Sequence, residues 1–107
     1  MNKIKVENMT SLKGNKIANQ FIIEGKEEYT KPVPDSETYL RGFEVFQSYS
    51  SVIAKKVYDG TGRIYIDKNK WDYSVTTGKY RNQFLNETKK ETQAKIDSGE
   101  YILTDLN

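Results

Sequence analysis

The chain has 107 residues, 36% of them hydrophobic and 30% charged, and 17 basic against 15 acidic side chains leave a net charge of +2. That length accommodates one domain with a thin core. The near-neutral balance indicates neither a polyanion mimic nor a strongly electrostatic DNA binder. Cysteine and histidine are both absent, which excludes disulfides, thiolate nucleophiles, His-based triads and nearly all zinc sites.

What remains for chemistry is carboxylates, Lys, Tyr, Ser and Thr, so the expectation is a binding protein without cofactor or metal, not an enzyme. With a mean hydropathy of -0.81, eight Tyr, four Phe and one Trp must supply much of the buried surface, at roughly 150–250 Å² per ring. A core this thin also favours self-association as a homodimer. No apolar run approaches the ~20 residues that span a bilayer, and the N-terminus does not read as a signal peptide. The expected location is therefore the cytoplasm, with no membrane contact.

Residues 3–9 begin with Ile4 and Val6 on one side and Lys5 and Glu7 on the other, the alternation of a half-buried strand. Gly14-Asn15 predicts a turn, and residues 17–25 a second strand antiparallel to the first. Residues 26–41 contain Pro32 and Pro34 among polar and aromatic side chains, which predicts a long exposed loop. Residues 42–49 return to strand, with Phe43 and Val45 in phase and Phe46 out of phase. A bulge or burial on both faces would account for that. Residues 51–67 read as a hairpin turning at Asp59-Gly60-Thr61-Gly62.

One helix is expected over about 78–98, on the spacing of Tyr80, Phe84, Thr88, Thr92 and Ile96, with a Glu91–Lys95 pair outside and Gly99 as its stop. The final segment from Tyr101 predicts an edge strand or a packed tail. The fold expected is α+β: an antiparallel sheet of four to six strands with one C-terminal helix on one face, in a single domain over 1–107.

Three constellations have both a functional and a structural reading. In the loop 26–41, Tyr29, Lys31, Tyr39 and Arg41 surround the prolines, and Tyr and Arg are common anchors of protein interfaces. The alternative is a tolerated surface insertion. Around the helix start, Thr76, Thr77, Lys79 and Arg81 would suit an anion, because free backbone N–H groups there favour negative charge. The alternative is that a Thr caps the helix while Trp71 and Tyr73 pack in the core. Third, Lys55, Lys56 and Arg63 alternate with Tyr58 and Tyr65, a pattern that can stack bases and hold phosphates. Lysines that protect exposed strands from aggregation look the same.

The sequence also resembles a group of small proteins encoded by phages and prophages of Gram-positive bacteria. The resemblance lies in Gly14-Asn15 with Asn19-Gln20-Phe21, in Phe46-Gln47-Ser48-Tyr49 with Ile53-Ala54-Lys55, and in Trp71-Asp72-Tyr73-Ser74, Thr76-Thr77 and Lys79-Tyr80-Arg81 with Phe84-Leu85. It covers most of the chain outside 26–41, a segment that is longer here. The resemblance implies a host-takeover or anti-defence factor in the host cytoplasm. Such a factor inhibits a host protein, for instance a CRISPR nuclease or another nucleoprotein complex. The other function open at this point is a small nucleic-acid-binding protein using the Tyr/Lys strand face with Lys79 and Arg81.

Overall fold

The alternating and turn-bounded segments of the first two-thirds of the chain become a single antiparallel ladder. The computed structural model describes residues 4–30 and 37–107. Its strands are β1 (Lys5–Thr10), β2 (Lys16–Thr30), β3 (Thr38–Ser48), β4 (Ser51–Tyr58), β5 (Ile64–Asp67) and β6 (Tyr101–Thr104), and they lie side by side in sequence order. Helices α1 (Val75–Leu85) and α2 (Lys89–Asp97) sit between β5 and β6. The architecture is α+β.

Three expectations are corrected. First, the sheet is mixed: β1 to β5 pair antiparallel, but β6 runs parallel to β5. Parallel neighbours need a crossover connection, and here the two helices supply it.

Second, the single helix expected over 78–98 is two helices. Asn86 takes the left-handed conformation (φ 55°) and ends α1, and Thr88 then opens α2 with a capping box to Glu91. Glu91 is thereby committed to the cap, and Lys95 pairs with Glu87 at 2.9 Å instead of with Glu91. Gly99 stands just past α2 with φ 82°, as its stop signal requires.

Third, the segment 26–41 is not all loop. Residues up to Thr30 and from Thr38 extend β2 and β3 as a paired ribbon, with Tyr29 opposite Tyr39 and Thr30 opposite Thr38. Pro32 and Pro34, the residues that argued for a loop, lie outside the described residues. Proline forbids a ladder bond only at its own position.

Both helices pack on the same face of the sheet. Phe46, Ala54, Ile66 and Tyr101 rise from the strands to meet Phe84 and Leu85 of α1, with Ile96 of α2 alongside. The Phe46 and Phe84 ring centroids are 5.8 Å apart. Between Phe46 and Gln47 the β3–β4 register shifts, and Ile53 is the extra residue on β4. Its side chain joins Ala54 in the same core. Each large side chain so buried contributes roughly 1.5–3 kcal/mol. The phase conflict of Val45 and Phe46 is thus burial on two faces: Phe46 under the helices, Val45 on the other side.

Polar groups clamp the helices down. Ser48 and Thr77 share a buried hydrogen bond of 2.9 Å between β3 and α1. Glu87, in the link between the helices, accepts from Thr92 (2.6 Å), Lys95 (2.9 Å) and the Tyr101 hydroxyl (2.6 Å), tying α2 to β6. Burial alone would raise the Glu87 carboxyl, but these three donors together hold it below its ordinary range. Burial and the same carboxylate push the Tyr101 phenol up to about 12. Among the described residues no helix is long and apolar enough to cross a membrane.

Candidate functional site

The face of the sheet away from the helices is apolar too. Strand register sets Val6, Ile23, Val45, Lys55, Tyr65 and Ile102 in one row across all six strands. Phe21 and Val52 flank that row on one side, Phe43 and Val57 on the other. Val45 and Val57 are buried yet belong to no part of the helix-side core. They form the floor of a second, shallower apolar patch. Most of its remaining residues are half-buried, while Val6 at one edge is 58% exposed.

One end of this face carries a compact polar and aromatic cluster. Arg41 donates to Glu27 through Nε (3.0 Å) and Nη2 (2.9 Å), and its Nη1 lies 3.5 Å from Asp59. Lys55 reaches the other Glu27 oxygen at 2.5 Å. The Arg41 guanidinium lies 4.1 Å from the centre of the Tyr29 ring, and Tyr29 meets Tyr39 edge to face at 5.5 Å. Arg63 interacts with the Tyr65 and Tyr29 hydroxyls, which raise its pKa. Burial works against the Glu27 carboxylate, and the Lys55 and Arg41 hydrogen bonds overcome it, leaving its pKa lowered. Arg41 and Lys55 are thus matched by the carboxylates of Glu27 and Asp59, while Arg63, the third cation of the cluster, is exposed beside Tyr29 and Tyr65.

The geometry redistributes the residues singled out from sequence. Tyr29, Tyr39, Arg41, Lys55 and Arg63, drawn from two separate constellations, converge on this one face. Lys31 lies outside the described residues. Lys56 does not join them, because neighbouring positions on a strand point to opposite faces. It lies on the helix side, donates to the Phe84 carbonyl (2.8 Å) and sits 4.3 Å from the centre of the Phe84 ring.

The anion set at the helix start comes apart. Ser74, not a threonine, caps α1 through the Thr77 amide, and Thr77 itself is fully buried against Ser48. Arg81 is 1% exposed; it donates to the Trp71 carbonyl (2.6 Å) and the Asn82 side chain (2.9 Å) and lies 3.5 Å from Asp72. Burial lowers its pKa, with Asp72 acting against that. Thr76 and Lys79 alone remain exposed. Lys79 and Arg81 both border the space at this helix start, but Arg81 is already committed to Trp71, Asn82 and Asp72, whereas Lys79 faces water. An open cavity of about 670 Å³ does adjoin this helix start, and Asp72 divides its cations by pairing with Lys89 at 2.7 Å.

Sequence reasoning missed Glu27 and Asp59, the counterions that decide what the cations can do. A signal existed: Glu27 and Tyr29 alternate in phase with Phe21 and Ile23. The Glu87 clamp also went unseen, since its partners come from α2 and β6. Among the described residues no three carboxylates gather into a metal-holding group.

The model of DUF8033, a family of unknown function, matches residues 4–100, and the chain belongs to that family. No curated protein and no solved structure matches it.

Proposed function

We propose that the chain is a binding protein that docks a partner protein on the helix-free face of its sheet. The observation that carries this is the row from Val6 to Ile102, apolar except for Lys55, with a Tyr–Arg–Lys cluster beside it whose Arg41 and Lys55 are held by Glu27 and Asp59. Apolar patches of this kind, edged by aromatic and Arg side chains, resemble the centres of protein interfaces. Five inter-strand spacings make the face ~24 Å wide. At ~3.3 Å per residue along each strand the whole face covers roughly 700–800 Å², close to the ~800 Å² per partner of a standard complex.

A nucleic-acid partner is disfavoured by the same cluster. Phosphate binding draws on several free cations, whereas Arg41 holds Glu27 and Asp59 and Lys55 holds Glu27, which leaves Arg63 as the exposed cation of the cluster. On the resemblance to phage and prophage proteins, the partner is a host protein, and a defence nuclease is the first case to test. Binding there would inhibit by occupying surface, since the face offers no catalytic constellation.

The test compares three tagged forms in bacterial lysate with and without nuclease treatment: wild type, Ile23→Asp with Tyr39→Ala on the face, and Lys90→Ala on α2 as control. A stoichiometric protein held by the wild type and the control but lost by the face variant supports docking there. Loss from all three on nuclease treatment would transfer the assignment to nucleic acid. Equal retention by all three would move the interface elsewhere.

A further inference from the structure

The two edges of the sheet differ in what they invite. β6 has four residues and no charge pair that would select a register. β1 at the other edge has six residues, Lys5–Thr10, and among the described residues it pairs with β2 alone. Ile4 and Val6 there are 63% and 58% exposed. Edge strands are usually protected by proline, bulges or unmatched charge. β1 has no proline, its register irregularity falls at the far end between Asn8 and Thr10, and its two charges are of opposite sign.

We propose that two copies of this chain pair antiparallel along β1, about a two-fold axis through Val6. That register sets Val6 against the second copy's Val6 and Lys5 against its Glu7, twice by symmetry. Shifting the axis to Lys5 or to Glu7 would oppose like charges. Shifting it by half a step sets Lys5 beside Val6 and turns the second copy over. Charge complementarity and apolar matching thus select one register.

Lys5 and Glu7 are already 2.8 Å apart within one strand, with Glu24 4.0 Å from the lysine. The dimer closes them into a balanced cross-strand quartet. Its two-fold axis stands perpendicular to the sheet, so both copies keep their helices on one side. The two helix-free faces become continuous through Val6. The pairing stands independently of what those faces bind.

Sedimentation equilibrium on the full chain, with circular dichroism as a fold control, tests this. The wild type is expected to dimerise, and the dissociation constant of Lys5→Glu or Glu7→Lys should rise about tenfold or more, because each sets like charges opposite one another. Mixing the two variants should restore dimers, since each supplies the charges the other lacks. Hydrogen exchange on the wild type adds a readout that needs no mutation: β1 amides should gain protection as concentration rises. A monomeric wild type at high micromolar concentration, unchanged dimerisation in both single variants, or no recovery on mixing folded variants would each overturn the proposal.

Discussion

The two faces of one sheet are built from the same residue types and end in different physical states. On the helix side, Phe46, Ile53, Ala54 and Ile66 are entirely shielded, and the polar groups that accompany them are locked into bonds that join elements. On the other side, Ile23, Phe43 and Tyr65 remain half-buried, and the charged groups satisfy one another within the strands. The first face gains its stability from covering. The second leaves part of its apolar area open to water. The contrast shows that alternation alone does not distinguish a covered face from an open one; what lies over the strand does.

Neighbouring residues make the comparison measurable. Phe46→Ala should cost about 3–5 kcal/mol, because it opens a cavity beneath α1. Val45→Ala, on the other face, should cost only about 1–2 kcal/mol, since solvent and adjacent side chains can close over it. Urea titration would check both, and equal losses would mean that the two faces are equally covered.

Next in size is Glu87→Gln, expected to lose about 2–3 kcal/mol, as the buried acceptor of three hydrogen bonds loses its charge. The wild type should show a matching pH dependence. The Glu87 pKa is lowered in the fold, so its contribution is complete above the unfolded value of ~4.3 and declines as pH falls below that. Tyr101 works in the opposite sense: its contribution is present below ~10 and declines as pH rises towards about 12. Stability curves of wild type and Glu87→Gln should therefore converge at acid pH. Parallel curves there would remove Glu87 as the clamp.

The smallest effect expected is a gain. Gln20 is 1% exposed on the helix side, and neither its Nε2 nor its Oε1 meets a hydrogen-bond partner among the described residues. Gln20→Met, similar in shape without the polar atoms, should raise stability by about 1 kcal/mol. A loss, read by thermal melting, would show that the amide is solvated in place and that this face is less dry than its apolar residues suggest.

Local physics made much of the fold legible. Alternation in Ile4–Glu7, the turns at Gly14 and Gly60, and the apolar phase of Tyr80 and Phe84 each act within a few residues, and each foretold an element at the right place. The break between the helices was also written locally, in Asn86 and in Thr88 with Glu91, but the continuous stripe from Tyr80 to Ile96 masked it. Tyr29, Tyr39 and Arg41, which the structure brings into one cluster, were legible as a group from residue type alone, although not as strand residues, because two prolines weighed on the whole segment.

What the sequence by itself determined is the class: one thin-cored α+β chain without His or Cys and rich in Tyr. What only the tertiary structure decided is which cations are free and which apolar face is covered. Arg81 and Lys79 are indistinguishable by type, yet one is enclosed with Asp72 and the other faces water. Lys55 reads as a phosphate ligand and Arg41 as an interface anchor until β2 places Glu27 between them. The reason is range. A strand or a cap is settled by neighbours in sequence, whereas a charge is neutralised and a surface buried by residues that meet only when the chain has folded.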